Sequence, residues 1–262
     1  MILAIDIGNT NIVMGCVDPE KIYFIARLAT NHLKTEEQYA IELKSILELY
    51  GFETSCIDGS IISSVVTPLT NIMKQAILII TKKEPMVVGP GLKTGLNIMI
   101  DNPAELGSDL VVAAVAALAQ YAKPIVIFDL GTATKASVID AKGTFLGGII
   151  FPGIKISLDA LSSRTSQLPR ISLEAPKRVV GRNSVDSMTS GVTYGNAAMI
   201  DGLIERIEEE LGMSVTTIVT GGLAKYIAPY CKKQVTYDPD LILKGLYMIY
   251  QKNEKTAQKA LH

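Results

Sequence analysis

The stretch LAIDIGNTNIVMGCV (Leu3–Val17) carries an apolar run to Asp6 and then turns through a glycine. VIFDLGTATKASVID (Val126–Asp140) repeats this arrangement around Asp129. Such a pattern predicts a strand, a tight turn and a second strand. Glycine lets the backbone turn closely, and Asn, Thr and backbone N–H groups in the turn can surround a phosphate. The repeat therefore predicts two hairpins that hold a polyphosphate and its metal.

The rest of the chain predicts the same order of elements twice: three strands, helix, strand, helix, strand, helix. The expected strands are Leu3–Asp6, Asn11–Val17, Ile22–Leu28, Ser60–Val65, one near Val87, Ile125–Asp129, Ala133–Ile139, Thr144–Phe151, Val215–Thr220 and one near Val235. The expected helices are Thr35–Tyr50, Pro68–Thr81, Leu106–Tyr121, Ile154–Leu161, Val185–Leu211, a short one after Gly222, and Pro239–Asn253. The duplication predicts two related α/β domains, 1–121 and 122–262.

The composition favours a small-molecule partner. Lys plus Arg number 25 against 26 Asp plus Glu, so the net charge of -1 gives no broad electrostatic reason to bind nucleic acid or an anionic membrane. The three cysteines form no C-x-x-C pair, which argues against disulfides or a thiolate zinc site and makes a cytoplasmic location the expectation. With two histidines in the chain, a Ser-His-Asp mechanism is disfavoured, so any general base is expected to be a carboxylate.

A third motif, TIVTGGLA (Thr217–Ala224), runs from a strand through Gly221 and Gly222 into a helix. Small residues there would let an adenine or ribose approach the backbone, although a purely structural Gly-Gly turn fits the pattern too. Neither a dinucleotide-binding G-x-G-x-x-G after a strand nor a P-loop occurs in the sequence.

One carboxylate is suited to proton transfer. In NPAELGSDLVVAAVAALA, Asp109 stands near the start of an apolar helix, after a turn rich in Pro and Gly. An Asp there can orient and deprotonate an alcohol that attacks a phosphoryl group. Alternatively, Asp109 does no more than favour the helix dipole, worth about 0.3–1 kcal/mol. The sequence leaves these two interpretations open.

The paired hairpins resemble the acetate and sugar kinase, Hsp70 and actin superfamily. That resemblance implies two duplicated ribonuclease-H-like (actin-like ATPase) domains with a nucleotide cleft between them. More specifically, the chain resembles type III pantothenate kinases, nearly from end to end. The motifs that carry the resemblance are DIGNTN (Asp6–Asn11), SSVV (Ser63–Val66), VVGPGLKTGL (Val87–Leu96), NPAELGSD (Asn102–Asp109), DLGTAT (Asp129–Thr134), LGGIIFPGI (Leu146–Ile154), RTSQLP (Arg164–Pro169), GRNSVDSMTSGVTYG (Gly181–Gly195), TGGLA (Thr220–Ala224) and LILKGL (Leu241–Leu246).

The resemblance implies an ATP-dependent phosphorylation of pantothenate, the first step of coenzyme A synthesis, by a homodimer. It places Asp6 near Mg²⁺ and the phosphates, Asp109 as proton acceptor, Asp129 at a monovalent cation (K⁺ or NH₄⁺) and Thr132 on ATP. The other residues implied in nucleotide binding are Gly8, Asn9, Thr10, Asn11, Gly221 and Gly222. The residues implied around the acceptor are Ile100, Gly107, Ser108, Asp109, Leu110 and Ser184.

Three acceptor-side positions depart from the family pattern. The usual Gly-x-Asp-Arg segment ends here in Leu110, so the Arg expected to meet the substrate carboxylate is missing. Leucine cannot replace a guanidinium, which supplies both charge and a bidentate pair of donors. Ile100 aligns with a Tyr that lines the family's acceptor pocket, and Ser184 replaces a Thr while keeping the hydroxyl.

Lys135 departs from the family pattern in the second hairpin. It is either a solvated strand lysine, an ammonium that takes the place of the monovalent cation beside Asp129, or a source of the positive charge that Leu110 no longer gives. Three functions stay open accordingly: a pantothenate kinase with a rearranged acceptor pocket, a kinase of another small alcohol, or a non-catalytic paralogue that acts as a binding or regulatory module.

Overall fold

The computed structural model describes residues 1–260, with side chains through residue 256. In that range the strands are β1 Ile2–Ile7, β2 Asn11–Val17, β3 Ile22–Ala29, β4 Gly59–Ser64, β5 Met86–Val87, β6 Asn97–Ile98, β7 Ile125–Leu130, β8 Ala133–Ile139, β9 Thr144–Pro152, β10 Thr216–Thr220 and β11 Thr236–Tyr237. The α-helices are α1 Glu36–Leu49, α2 Thr67–Thr81, α3 Ser108–Gln120, α4 Ile154–Arg164, α5 Ser184–Leu211, α6 Ala224–Ile227 and α7 Leu241–Ala260. The individual strands and helices expected from the sequence all occur, but two helices, α4 and α5, lie between β9 and β10, so the second half does not repeat the order of the first. Strand β6 is an addition that the sequence pattern did not predict.

The chain divides into two compact units. Unit 1 contains Met1–Leu96, Asn102–Ala116 and the chain from Leu241, and unit 2 contains Asn97–Asp101 and Ala117–Asp240. These units do not coincide with the predicted division at 121/122. The main difference is α7, which follows the second set of strands in sequence but packs its apolar side chains against the first sheet.

The two sheets share one topology for five strands, and the second has β6 as an additional edge strand beside β9. Unit 1 has the strand order β3-β2-β1-β4-β5, and unit 2 has β11-β10-β7-β8-β9-β6. In unit 1, β1 pairs antiparallel with β2 and parallel with β4. In unit 2, β7 pairs antiparallel with β8 and parallel with β10. Each sheet therefore contains a first strand that lies between its hairpin partner and a parallel strand reached through a crossover.

The alternation of side chains along β1 assigns its two faces. Leu3, Ile5 and Ile7 are buried in the cluster that packs α1 and α2 on the sheet, whereas Ile2 and Ala4 belong to the cluster that contains residues of α3 and α7. Because successive strand residues point to opposite faces, Asp6 lies on the face that carries α3 and α7. The carboxylate is thus placed at the end of a buried strand, where the apolar core stops.

The strand β7 alternates in the same way. Val126, Phe128 and Leu130 are buried in the cluster that packs α5 and α6 on the second sheet. Asp129 therefore lies on the opposite face of that sheet. Within the described residues, no helix is long and apolar enough to cross a membrane.

Candidate active site

The first hairpin turns through residues 8–11, because Ile7 pairs with Ile12. The Gly8 N–H donates to the Asn11 carbonyl at 3.0 Å and closes the turn. Thr30, directly after β3, donates its N–H to the Thr10 carbonyl at 3.0 Å and its hydroxyl to the Gly8 carbonyl at 2.6 Å. Two peptide oxygens that would repel a phosphate are thereby occupied, while the side chains of residues 9–11 are exposed. Thr30 was not singled out from the sequence, since nothing in a threonine after a strand signals this role.

Asp6 is half-buried at the end of β1. Its directly paired residues are Val13 on β2 and Ser63 on β4, and neither side chain carries a charge. Residues in register on neighbouring strands point to the same face of a sheet. Asp6, Val13 and Ser63 therefore line one patch on the face of unit 1 that also carries α3.

Ser108 fixes the start of α3 to the end of β4. Its hydroxyl oxygen lies 3.1 Å from the Ser63 hydroxyl, accepts the Ser64 N–H at 3.0 Å and donates to the Ser64 carbonyl at 3.0 Å. The hydroxyl predicted to meet the acceptor is thus engaged with the protein. Ser108 therefore positions the start of α3, in which Asp109 is the second residue.

Asp109 lies in the first turn of α3, where the helix N-terminus favours negative charge. One of its oxygens, Oδ1, accepts the N–H of Leu110 at 2.9 Å. The carbonyl of Gly107 accepts two N–H groups of the first turn of α3, from Leu110 at 3.1 Å and Val111 at 3.2 Å. A Cβ on Gly107 would lie 2.6 Å from Asp109 Oδ1, so a larger residue there would displace the carboxylate from its present position.

Unit 1 therefore brings three groups to one face: the Asp6 patch, the serine pair Ser63 and Ser108, and the Asp109 carboxylate. Leu110 is half-buried beside them and offers an apolar side chain where an arginine would offer five N–H donors. The pairing across β4 and α3 is the part of this arrangement that the sequence analysis missed. Its signal was the double serine of the SSVV motif.

The second hairpin is one residue shorter. Leu130 pairs with Thr134, so that residues 131–133 form the turn and Thr132 is exposed at its tip. Asp129 consequently lies directly opposite Lys135. The Lys135 Nζ atom is 3.8 Å from Asp129 Oδ2, and the two side chains are 21% and 24% exposed. The solvated-lysine interpretation of Lys135 does not match this pair, which is largely sheltered from water.

The two glycines of TGGLA have different surroundings. Gly221 has φ +96°, and a Cβ there would lie 2.5 Å from Asp129 Oδ1 and 2.7 Å from the Leu130 nitrogen. Gly222 has nothing within 4 Å of an added Cβ. Gly221 is therefore required by close packing against the Asp129 turn, whereas the space above Gly222 is open to a ligand.

A further glycine, Gly153, supports the same turn from α4. A Cβ on Gly153 would lie 2.1 Å from the Thr132 carbonyl oxygen and 2.6 Å from that of Gly131. Gly153 lies in the LGGIIFPGI motif, but this role of the glycine was not predicted from the sequence. Unit 2 thus brings together Asp129, Thr132 and Gly221, all three of which were predicted.

The acceptor-side candidates of unit 2 lie elsewhere in it. Ile100 is half-buried just after β6, and Ser184 is exposed at the first position of α5. Ser184 lines a groove of about 740 Å³ between α4 and α5, together with Arg182, Asn183 and Met188. None of the groove's described lining residues comes from the Asp129 hairpin. Arg182 adds a cation that the sequence analysis did not identify, although it stands in the quoted GRNS segment.

No group of three or more His, Cys, Asp or Glu side chains among the described residues is arranged to hold a metal ion. Mg²⁺ needs no such group, because it is usually held by one or two carboxylates together with substrate phosphates and water. Asp6, between uncharged neighbours and beside an exposed polar turn, fits that mode.

Comparison with known proteins agrees with this architecture. A type III pantothenate kinase from Halalkalibacterium halodurans is 45% identical over 97% of this chain and 100% of its own length, and one from Bacillus cytotoxicus is 43% identical over 97% of both. The activator of 2-hydroxyisocaproyl-CoA dehydratase from Clostridium difficile, solved with bound ADPNP, has a TM-score of 0.58 at 13% identity and covers 98% of this chain and 97% of its own. That likeness confirms the predicted fold of two ribonuclease-H-like domains. The model of the type III pantothenate kinase family matches residues 2–206, and the chain therefore belongs to that family.

Proposed function

We propose that this protein is an ATP-dependent kinase that phosphorylates pantothenate to 4'-phosphopantothenate, the first step of coenzyme A synthesis. The observation that carries the proposal is the 43–45% identity, over 97% of the chain, to relatives named type III pantothenate kinase. The geometry supports it, since the two hairpins and the Asp109 carboxylate are the parts that phosphoryl transfer needs: phosphate cradles and a proton acceptor.

Each hairpin turn is assigned nucleotide contacts within its own unit. In unit 1, the exposed side chains of Asn9, Thr10 and Asn11 and the N–H groups of the turn contact the phosphates. Asp6 would hold Mg²⁺, which would neutralise charge on the phosphate oxygens. In unit 2, Thr132 contacts the phosphates, and the open side of Gly222 admits the nucleoside.

Asp109 is assigned as the proton acceptor. The acceptor hydroxyl attacks the γ-phosphorus, its proton passes to an Asp109 oxygen, and ADP leaves as the bond to the β-phosphate oxygen breaks. The Leu110 N–H donates to Asp109 Oδ1 and holds the carboxylate in one orientation before reaction. Positioning of the reacting groups supplies much of the rate enhancement of such a reaction. Ser108 contributes because it fixes α3, and with it Asp109, to β4.

The monovalent cation implied at Asp129 does not fit the residues present. Lys135 already presents an ammonium 3.8 Å from Asp129 Oδ2, and a second cation at the same oxygen would be repelled. No step of the proposed reaction depends on such an ion.

We further assign a homodimer and a cytoplasmic location. The groove between α4 and α5 contains the exposed Leu161, and the neighbouring chain exposes Val179, Val180 and Val185 by 64%, 77% and 48%. Apolar side chains exposed near a groove support the proposal of a protein–protein interface in this region. A second copy that covers them would place a partner beside Ser184, at the first turn of α5.

One observation favours a second candidate acceptor. Leu110 stands beside Asp109, and a carboxylate bound against an apolar side chain without a positive partner is costly. A small alcohol without a carboxylate would suit that position better. The second candidate is therefore a kinase of such an alcohol, with the same nucleotide residues and the same proton acceptor.

The test is ATP consumption by purified protein with Mg²⁺ and, in turn, pantothenate, its carboxylate-free relative pantetheine, or no acceptor. We expect turnover that depends on pantothenate and falls by about 10²–10⁴-fold in Asp109→Asn, because the proton acceptor is removed while size is kept. Glu105→Gln is the matched control: it makes the same chemical change on an exposed neighbour, and the amide oxygen can still accept from Asn102.

Faster turnover with pantetheine than with pantothenate would favour the second candidate. ATP binding without turnover of either acceptor would contradict both kinase proposals and favour a binding or regulatory module.

A further inference from the structure

The ion pair between Lys135 and Asp129 occupies a defined place in the second hairpin. The two residues are directly paired on β7 and β8, one pair before the residues that open the turn. Directly opposed residues of an antiparallel pair share a face, so the Lys135 side chain is held on the same side of the sheet as the carboxylate. Both side chains are more than three quarters buried.

The carboxylate cannot easily turn away from the lysine. Asp129 Oδ1 lies against Gly221, where an added Cβ would be 2.5 Å away, and Thr220 is the residue paired with Asp129 on β10. The other oxygen, Oδ2, faces the Lys135 ammonium. Asp129 is therefore confined by backbone on one side and by a covalently attached cation on the other.

An anionic side chain beside a polyphosphate needs a compensating positive charge. Like charges a few Å apart repel strongly where water is scarce. That charge can be a dissolved ion, which must bind from solution, or a side chain, which is present at all times. In this hairpin the ammonium of Lys135 is already at Asp129 before any nucleotide arrives.

We infer that Lys135 is a built-in counter-cation for Asp129, which removes the need for a dissolved monovalent cation when the Asp129 hairpin binds the polyphosphate of a nucleotide. The inference rests on the proposed function, because it assumes that the nucleotide phosphates reach this turn. It also assigns Lys135 as a positioning residue for Asp129 and the nucleotide, and not as a contact for the acceptor.

The experiment measures the dissociation constant for ATP, by calorimetry, at constant ionic strength in K⁺, Na⁺ or tetramethylammonium chloride. The wild-type constant is expected to change by less than about twofold among the three salts, since the counter-charge does not come from solution. Lys135→Met keeps the length and apolar stem of the side chain but removes its charge. We expect this variant to bind ATP about tenfold more weakly in tetramethylammonium, and K⁺ or NH₄⁺ to restore most of the loss.

Two controls isolate the charge at this position. Lys142→Met removes a lysine from the exposed β8–β9 turn of the same sheet and should leave both affinity and salt response unchanged. Lys135→Arg keeps a positive charge and should remain insensitive to the salt. A thermal melt of each variant in each salt shows whether the protein is folded, and restoration by K⁺ cannot arise from a purely structural ion pair.

Strong K⁺ dependence of the wild-type protein would overturn the inference, and so would a Lys135→Met variant that is as insensitive to K⁺ as wild type. Failure of the proposed function has a different signature: ATP binds with the expected salt response, but pantothenate is not phosphorylated. No ATP binding by the wild-type protein would overturn both.

Discussion

Each hairpin has an aspartate at the equivalent position, but the two carboxylates have different electrostatic surroundings. Asp6 and Asp129 both end the first strand of a sheet, both point away from the main helix-covered core, and both are paired on their parallel neighbour with a small hydroxyl residue, Ser63 or Thr220. Across the hairpin, however, Asp6 faces Val13 and Asp129 faces Lys135. The first carboxylate lies opposite an uncharged side chain, whereas the second lies opposite a cation on the next strand.

Placing a lysine opposite the aspartate of the first hairpin, as in the second, should have the largest effect on turnover. Val13→Lys would place an ammonium opposite Asp6, on the same face and in the same register that Lys135 has to Asp129. The ammonium competes with Mg²⁺ for the carboxylate, so we expect turnover to fall by about 10²-fold or more and the Mg²⁺ concentration for half-maximal activity to rise. A Mg²⁺ titration of the ATP-consumption rate measures both.

Val13→Met is the control, because it lengthens the side chain without adding charge. If Val13→Lys retained the wild-type response to Mg²⁺, the proposal that Asp6 binds Mg²⁺ while Asp129 pairs with Lys135 would be wrong. A fall in activity in both variants alike would assign the effect to packing instead of charge.

A smaller effect on activity is expected from substitutions at the end of the parallel strand that lies beside each carboxylate. The chain leaves β4 at Ser64, which hydrogen-bonds to Ser108, but it leaves β10 at Gly221, with φ +96° and no room for a Cβ beside Asp129. Gly221→Ala should destabilise the protein by about 1–3 kcal/mol through backbone strain and overpacking, and should weaken ATP binding because Asp129 and Leu130 must shift. Denaturant unfolding and calorimetry measure the two effects.

Gly222→Ala is the matched control, because an added Cβ there has open space. It should leave the free energy of unfolding nearly unchanged. Equal destabilisation by both substitutions would mean that the Gly-Gly turn is needed for flexibility in general, and not for the close approach to Asp129.

Much of this architecture could be predicted from sequence because its signals are local. Apolar alternation marks the strands, glycines mark the turns, and a polar segment before an apolar run marks the start of α3. The Asp129–Lys135 pair could not be predicted by analogy with the first hairpin. Six positions separate Asp6 from Ile12 and Asp129 from Lys135 alike, yet Ile12 pairs with Ile7 because the first turn is one residue longer.

Non-local contacts account for the rest. Ser108 contacts the end of β4, some 44 residues away in the chain, and the double serine of the SSVV motif does not identify this distant partner. Likewise, the amphipathic pattern of α7 predicts a helix but does not say which sheet its apolar face will cover. Register, turn length and the choice of packing partner are set by tertiary structure, so they decide the electrostatic difference between the hairpins without leaving a sequence motif.

The next turn of each sheet offers a comparison in which the two units agree. In the β2–β3 turn, Asp18 Oδ1 accepts the N–H groups of Glu20 at 2.8 Å and Lys21 at 2.9 Å, and Oδ2 accepts the Tyr23 hydroxyl. The Tyr23 hydroxyl, followed by the backbone donors, lowers the pKa of Asp18 below its ordinary value of 3.8. These donors bind the charged carboxylate better than the neutral acid.

The β8–β9 turn repeats the device at Asp140, whose Oδ1 accepts the N–H groups of Thr144 at 2.8 Å and Lys142 at 2.9 Å, so that the pKa of Asp140 also lies below 3.8. A carboxyl whose pKa is lowered by folding stabilises the protein above its unfolded pKa, and this contribution is lost as the pH falls through the folded value.

Asp140→Asn and Asp18→Asn imitate the protonated forms. Each should lower the melting temperature slightly at pH 6, and the difference from wild type should shrink below pH 3.8. Melting curves from pH 6 to about pH 2.5 measure it. A difference that stayed constant over that range would show that the turns depend on hydrogen-bond geometry alone and not on the carboxylate charge.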